Sequence, residues 1–359
     1  MITLFTPSFA DEANSNAQNL SVKETVARLD PMRIAVTMLH EGAVDPRIAV
    51  RPNTRLIRWQ KHGNTARLLW RILRDVPDLY FFPREGPLDS AFLSLRRHLR
   101  LKTAVLSYVV SGGLDSNLYL PARERHIREA DAVFANNTYL AQLLKEKMGI
   151  EAAGIVYDGV DRRYFYPPDS AREGRSPVIV LYAGSLRPMK RVPVVIRQAA
   201  RWPNVHFRIA GVGEEEAMCK NLAGELGCSN VEFLGHLQAA KLGEEMRRAD
   251  IFFFPSILEG HPQVLGQAAA SGLPAVAMGI YHPDYVVDGT TGFLASTDDE
   301  LSLRLDQLIA QRELRIAMGE AATGHMRKFD WDPISKIWQD AFEQVVARRR
   351  NHRASKLSM

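Results

Sequence analysis

The sequence predicts an α/β protein made of two doubly wound, mostly parallel sheets in tandem, with the two Rossmann-like halves facing each other across a cleft. Three observations carry this expectation. Short apolar runs of strand length alternate with segments of helical period along the chain. A stretch rich in proline and polar residues at 164–177 interrupts the alternation once, near the middle. A length of 359 residues suits two domains better than one.

The elements follow in order. The run at 2–5 follows the initiating Met with no basic start and no long apolar stretch, so it reads as a buried first strand rather than a signal peptide. Ser21, with Glu24 three residues on, predicts a helix over 21–29 opened by a capping box. Further strands are expected at 34–39, 55–59, 79–82, 104–110, 131–136 and 154–157, with helices at 65–73, 90–99 and 118–130. After the break, strands are expected at 178–182, 205–210, 231–234, 251–254, 273–277 and 292–294, and helices at 192–201, 214–226, 264–270, 299–311 and 334–349. The segment 348–359 is basic and polar and is expected to fray. The domains are then 1–167, 168–334 and a terminal helix with its tail at 335–359.

Composition narrows the class. Apolar residues make up 46% and charged residues 24%, as in a soluble globular chain, and no run of about 18 apolar residues is present. Cys219 and Cys228 have no metal-ligand spacing and are too few for a disulfide framework, so a reducing cytoplasm is expected. The ten histidines form no zinc-type cluster, so no metal is expected. Residues 1–167 hold 23 Lys and Arg against 18 Asp and Glu, whereas the remainder holds 23 of each. The surplus is a solvated basic surface or an attraction toward an anionic acceptor or the inner membrane face.

The most informative stretch is 255–274. A hydrophobic strand ends at Pro255, a turn carries Glu259 and Gly260, and a helix begins near Pro262, where proline suits the first turn. The amides at such a helix start favour an anion, and a sugar diphosphate would fit there. Glu259 from the turn and Gln267 from the helix can both point at a ligand in that place. A strand–turn–helix with Gly and Pro also occurs in α/β proteins with no such ligand.

Glu259-Gly260 and Ala268 through Gly272-Leu273-Pro274 resemble the donor-site signature of the family-four retaining glycosyltransferases of GT-B fold (glycosyl transferases group 1). The likeness continues through Gly184-Ser185-Leu186-Arg187-Pro188-Met189-Lys190, Ala210-Gly211-Val212-Gly213, Gly235-His236-Leu237, Asp288-Gly289 and, at the domain junction, Asp158-Gly159-Val160-Asp161. Their order and spacing, rather than any single match, carry the resemblance. It implies sugar transfer from a nucleotide-diphosphate sugar of UDP or GDP type to a glycan or lipid-linked acceptor, in envelope polysaccharide or glycoconjugate synthesis. No cofactor and no nucleic acid would take part. It implies catalytic roles for Glu259 and Lys190. Donor binding would fall to Gly184, Ser185, Arg187, Gly211, His236, Leu237, Gly260, His261, Pro262, Gln263, Val264 and Gln267. It also implies that the last helix crosses back toward the first domain.

Two departures stand out. The second carboxylate of the signature is Gln267, which keeps hydrogen bonding and loses the charge. The family's frequent arginine after the loop glycine is Ser185; Arg187 or Arg191 either supplies the missing cation or, the reading favoured for both, is an ordinary solvated arginine. In the first half, the loop after the first strand has no glycine; Asn14, Asn16 and Asn19 either meet acceptor hydroxyls or only lead into a helix cap. Arg84 and Glu85, after Pro83, are further acceptor candidates, and no histidine ends the strand at 104–110. The competing readings are a sugar-nucleotide epimerase or hydrolase, for which no acid–base pair can be assembled, and a non-catalytic sugar-nucleotide-binding protein of the same fold.

Overall fold

The structure is a computed structural model, and it describes every residue except 13–16, 61–63, 83–85, 111–120, 170–176 and 358–359. The first half runs β1 (Ile2–Phe9), α1 (Ala17–Arg28), β2 (Ile34–His40), α2 (Pro46–Ala49), β3 (Thr54–Arg58), α3 (Asn64–Asp75), β4 (Leu79–Phe81), α4 (Pro87–His98), β5 (Ala104–Val109), α5 (Pro121–Arg128), β6 (Ala132–Ala135), α6 (Thr138–Met148) and β7 (Gly154–Ile155). The second runs β8 (Ile179–Ala183), α7 (Val192–Arg201), β9 (His206–Ala210), α8 (Glu216–Glu225), β10 (Val231–Gly235), α9 (Ala239–Arg248), β11 (Ile251–Phe254), α10 (Gln263–Ala270), β12 (Ala275–Met278), β13 (Gly292–Ala295), α11 (Asp298–Ala310) and α12 (Arg312–His325). The last helix is α13 (Trp331–Leu357).

The chain forms two compact units, Met1–Asp158 with Trp331–Met359 and Gly159–Asp330. Each holds one parallel sheet, ordered β3-β2-β1-β4-β5-β6-β7 in the first and β10-β9-β8-β11-β12-β13 in the second. Helices cover both faces of such sheets, which is why their strands read as unbroken apolar runs: β5 is buried throughout and so is β11.

In the first unit α13 lies against the sheet. Ile334, Trp338, Ala341, Phe342 and Val345 recur at helical spacing and are buried. The Trp338 ring sits 5.0 Å from Phe81 and 4.8 Å from Tyr108. The tail expected to fray instead continues this helix to Leu357. Beyond the apolar stripe, Arg349 reaches Asp131 at 3.0 Å and Arg350 reaches Asp78 at 2.6 Å, so side-chain ion pairs carry the helix on.

The start of α1 is a second correction. The helix already runs from Ala17, so Ser21 lies inside it rather than at its N-cap. The Ser21 hydroxyl donates to Asp158 at 2.5 Å, and Glu24 pairs with Arg28 and Arg47. A tertiary partner displaced the local one that the spacing suggested.

The division between units falls at Asp158, upstream of 167, because the following residues bond into the second unit. Val160 N–H donates to the Phe329 carbonyl at 3.0 Å. Arg162 donates to Asp330 at 2.8 Å and to the Ala270 carbonyl at 3.2 Å.

Candidate functional site

In the second sheet the strand order reverses between β8 and β11, and the loops leaving the carboxyl ends of these two strands diverge there. Open α/β sheets bind ligands at such a point. The loop after β8 leads through a 3-10 turn at Pro188–Lys190 into α7. The loop after β11 covers 255–262 and leads into α10.

A close backbone contact holds the first loop. Gly211, after β9, has φ 143°, and a Cβ there would stand 1.8 Å from the Gly184 carbonyl oxygen. Only glycine fits both constraints. The two loops are then laced together: Gly184 N–H donates to Ala210 O at 3.0 Å, Leu186 N–H to Val212 O at 3.0 Å, and Glu215 N–H to Leu186 O at 3.0 Å. The turn that carries Lys190 therefore has a fixed base.

Lys190 and Glu259 form an ion pair across the switch point, with the ammonium donating to Oε1. The side chains are 19% and 11% exposed, so the pair is shielded yet reachable. The buried Ser256 hydroxyl donates to the same oxygen at 2.5 Å. Ile257 N–H donates to the Met189 carbonyl at 3.0 Å, tying the two loops by backbone as well. The Lys190 ammonium also lies 5.5 Å from the centre of the Phe254 ring. Glu259 is thus anchored through Oε1, while Oε2 makes no hydrogen bond among the described residues. Tyr182 underlies this arrangement. Burial first, then the Glu259 charge, push its phenol well above the usual range, and its O–H donates to the Ser185 carbonyl at 3.1 Å.

Helix α10 starts at Gln263 with Pro262 at its N-cap, and no side chain caps it. The first-turn amides face outward along the axis, as any helix start requires. A buried aromatic stack fixes that start. The His261 ring lies 3.9 Å from Tyr285, which lies 4.8 Å from Phe329. Gly266 lets α10 approach Tyr285, since a Cβ there would come within 2.9 Å of its ring.

His261 is consequently 6% exposed, and burial lowers its pKa to about 3. The ring is neutral at pH 7. The linkage has a definite sign. The unfolded chain takes up a proton below pH 6.5, and the folded one does not until about pH 3. Stability is expected to fall as pH drops through this window, by about 1.4 kcal/mol per pH unit from this residue. His261→Phe, which keeps a ring on Tyr285, should flatten that slope in thermal unfolding followed from pH 7 to 4. An unchanged slope would refute the assignment.

The remaining expected residues scatter more widely. Gln267 is partly buried one turn into α10, and its carboxamide makes no hydrogen bond among the described residues. Ser185 contributes its carbonyl to Tyr182, and Gly260, Gln263 and Val264 are partly buried around the turn. Arg187 is exposed, with no ion pair among the described residues, whereas Arg191 pairs with Asp298. His236 is exposed beside Gln238, and Leu237 is partly buried after β10. Asn14, Asn16, Arg84 and Glu85 lie outside the described residues. Asn19 is buried, and its side chain accepts from Phe9 N–H at 3.3 Å. The sequence reading missed Ser256, although its place three residues before Glu259 in the same turn was a usable signal.

Residues 168–325 match the family model described as glycosyl transferases group 1. A D-inositol 3-phosphate glycosyltransferase of Mycolicibacterium gilvum is 33% identical over 241 residues, covering 62% of this chain and 54% of the relative. An uncharacterized glycosyltransferase of Methanocaldococcus jannaschii, MJ1178, is 25% identical over 218 residues, covering 59% of this chain and 60% of its own. The chain thus spans only a little over half the length of these curated relatives. Among solved structures, a sucrose-phosphate synthase of Thermosynechococcus elongatus superposes with a TM-score of 0.82 at 18% identity, over 97% of this chain and 100% of that one. Anabaena Alr3699/HepE in complex with UDP and glucose superposes with a TM-score of 0.74 at 16% identity, over 96% and 100%. At these identities the superpositions show the fold, which is GT-B.

Proposed function

Because residues 168–325 match the family model of the glycosyl transferases group 1, within a chain of GT-B fold, we propose that this protein transfers a sugar from a nucleotide-diphosphate donor held in its second unit to a glycan or lipid-linked acceptor. The observation that carries the proposal is the Lys190–Glu259 pair at the β8/β11 switch point, with Oε2 left to a ligand. Lys190 and the start of α10 offset the charge that grows on the departing diphosphate. Glu259 Oε2 holds a sugar hydroxyl and so fixes the anomeric carbon for attack. The acceptor oxygen bonds to that carbon as the carbon–phosphate oxygen bond breaks. The acceptor proton passes to the leaving phosphate, with the new bond on the face that the diphosphate leaves. No protein nucleophile enters this scheme. Acceptor binding is assigned to the first unit, whose basic surplus suits an anionic, lipid-diphosphate acceptor at a membrane surface in envelope synthesis. No helix among the described residues is long and apolar enough to cross a membrane.

Gln267 favours a second reading, that of a binding protein without turnover, since a charge-assisted grip on the ribose is absent. Thermal shift with UDP-, GDP- and ADP-sugars, followed by assay of nucleoside diphosphate release with glycan and lipid acceptors, separates the two. Stabilisation with release supports transfer. Stabilisation without release under any acceptor supports the binding protein, and no stabilisation removes both. Gln267→Glu is expected to tighten binding of the cognate nucleotide sugar about fivefold to tenfold by titration calorimetry, because a hydrogen bond to an ionised group is roughly twice as strong as a neutral one. Unchanged affinity would displace Gln267 from the ribose.

A further inference from the structure

One polar group beside this site has no role in the scheme above. Strands β11 and β12 pair in parallel, with Phe252 opposite Ala275 and Phe254 opposite Ala277, so the loop after β12 emerges alongside the turn that carries Glu259. Tyr281 lies in that loop, three residues past Met278. The loop folds back on itself, with His282 N–H donating to the Gly279 carbonyl at 3.0 Å and His282 at φ 44°. A positive φ at a non-glycine residue marks a constrained turn. Its neighbours Ile280 and His282 are exposed, while Tyr281 is turned inward to 3% exposure.

The Tyr281 hydroxyl is buried and makes no hydrogen bond among the described residues. Buried hydroxyls are nearly always paired, so this one needs an explanation. Glu259 is near enough for its charge to act on the phenol: burial, with that charge added, raises the phenol well above its ordinary range. The hydroxyl therefore stays protonated, able to donate one hydrogen bond and accept others. A phosphate placed between this phenol and the Glu259 carboxylate would be repelled by the carboxylate. A neutral sugar hydroxyl would satisfy both groups.

Resting on the proposed function, we infer that Tyr281 is a specificity-determining residue whose buried hydroxyl hydrogen-bonds the hexose of the donor, beside the hydroxyl taken by Glu259 Oε2. Sites built to pair a substrate hydroxyl discriminate strongly against sugars that lack it or place it otherwise. Tyr281 then helps to choose the sugar and leaves the nucleotide to other residues.

The test is Tyr281→Phe in the full chain. The lost hydroxyl has no partner in the unliganded protein, so the midpoint of thermal unfolding is expected to stay unchanged or rise. Titration calorimetry then compares UDP-glucose, UDP-N-acetylglucosamine and GDP-mannose with UDP and GDP alone. For the nucleotide sugar that the wild-type chain binds, Tyr281→Phe should weaken affinity about tenfold, while the matching nucleoside diphosphate changes less than about twofold. Equal weakening of both, or of neither, overturns the inference and leaves the proposed function standing. A lowered midpoint also overturns it, because the hydroxyl would then hold the protein together. If the wild-type chain binds none of these nucleotide sugars, the reading of the site fails and this inference fails with it.

Discussion

Replacing Glu259 by alanine is expected to lower turnover about 10²–10³-fold, the range typical for loss of one positioned group in a shielded active site. The carboxylate is anchored on one oxygen by Lys190 and Ser256, so its other oxygen is held in a fixed place before any ligand arrives. Alanine removes that contact and also leaves Lys190 without its partner. Lys190 is 19% exposed, so the stability cost should stay near 1–2 kcal/mol and the protein should remain folded. Glu259→Gln separates the two effects: the amide keeps the shape and a hydrogen bond to Lys190, and loses the charge. Nucleoside diphosphate release, measured beside circular dichroism, checks both variants. Turnover within threefold of wild type for Glu259→Ala would remove Glu259 from the reaction.

Gly211→Ala is expected to damage the fold itself. The added methyl would stand 1.8 Å from the Gly184 carbonyl oxygen, at a φ of 143° that other residues rarely adopt. The laced loops would have to separate, at a cost of about 3 kcal/mol or more. In a unit of this size that corresponds to a fall of roughly 6–12 °C in the second unit's unfolding midpoint. Gly224→Ala is the matched control. It lies in α8, where an added Cβ meets nothing within 4 Å. It should be neutral or stabilise by about 0.5–1 kcal/mol. Calorimetry on both variants decides the matter; a Gly211→Ala midpoint within 2 °C of wild type would mean that the two loops are not held as described.

How much of this was legible beforehand varied from one element to the next. Strand β11 and helix α7 begin and end where the apolar pattern placed them, because their burial is two-sided in one and a single stripe in the other. Helices α6, α9 and α12 escaped the sequence reading. The signals for α6 were present: Asn137 caps it by accepting from Leu140 N–H at 2.7 Å, and Gly149 ends it in the left-handed conformation. For α12, only Gln311 separates it from α11, so no loop chemistry announced a new helix. Ser21 shows the opposite failure. Its spacing to Glu24 satisfied a local rule, and long-range partners won both side chains.

At the site, Glu259 and the helix start near Pro262 could be named from chain punctuation and residue type, which are local properties, and Lys190 from the resemblance of its loop to the glycosyltransferase signature. That Lys190 and Glu259 meet, separated by 69 residues in sequence, depends on β8 and β11 being neighbours. Spacing also left open which Glu259 oxygen makes no hydrogen bond among the described residues, that His261 is buried and neutral, and that the Tyr281 hydroxyl is buried with no hydrogen bond among them. The sequence by itself determined the α/β class, the two-sheet organisation and the chemical types available at the site. The tertiary structure decided which of those groups are paired, buried or left available, because pairing and desolvation are set by neighbours distant in the chain.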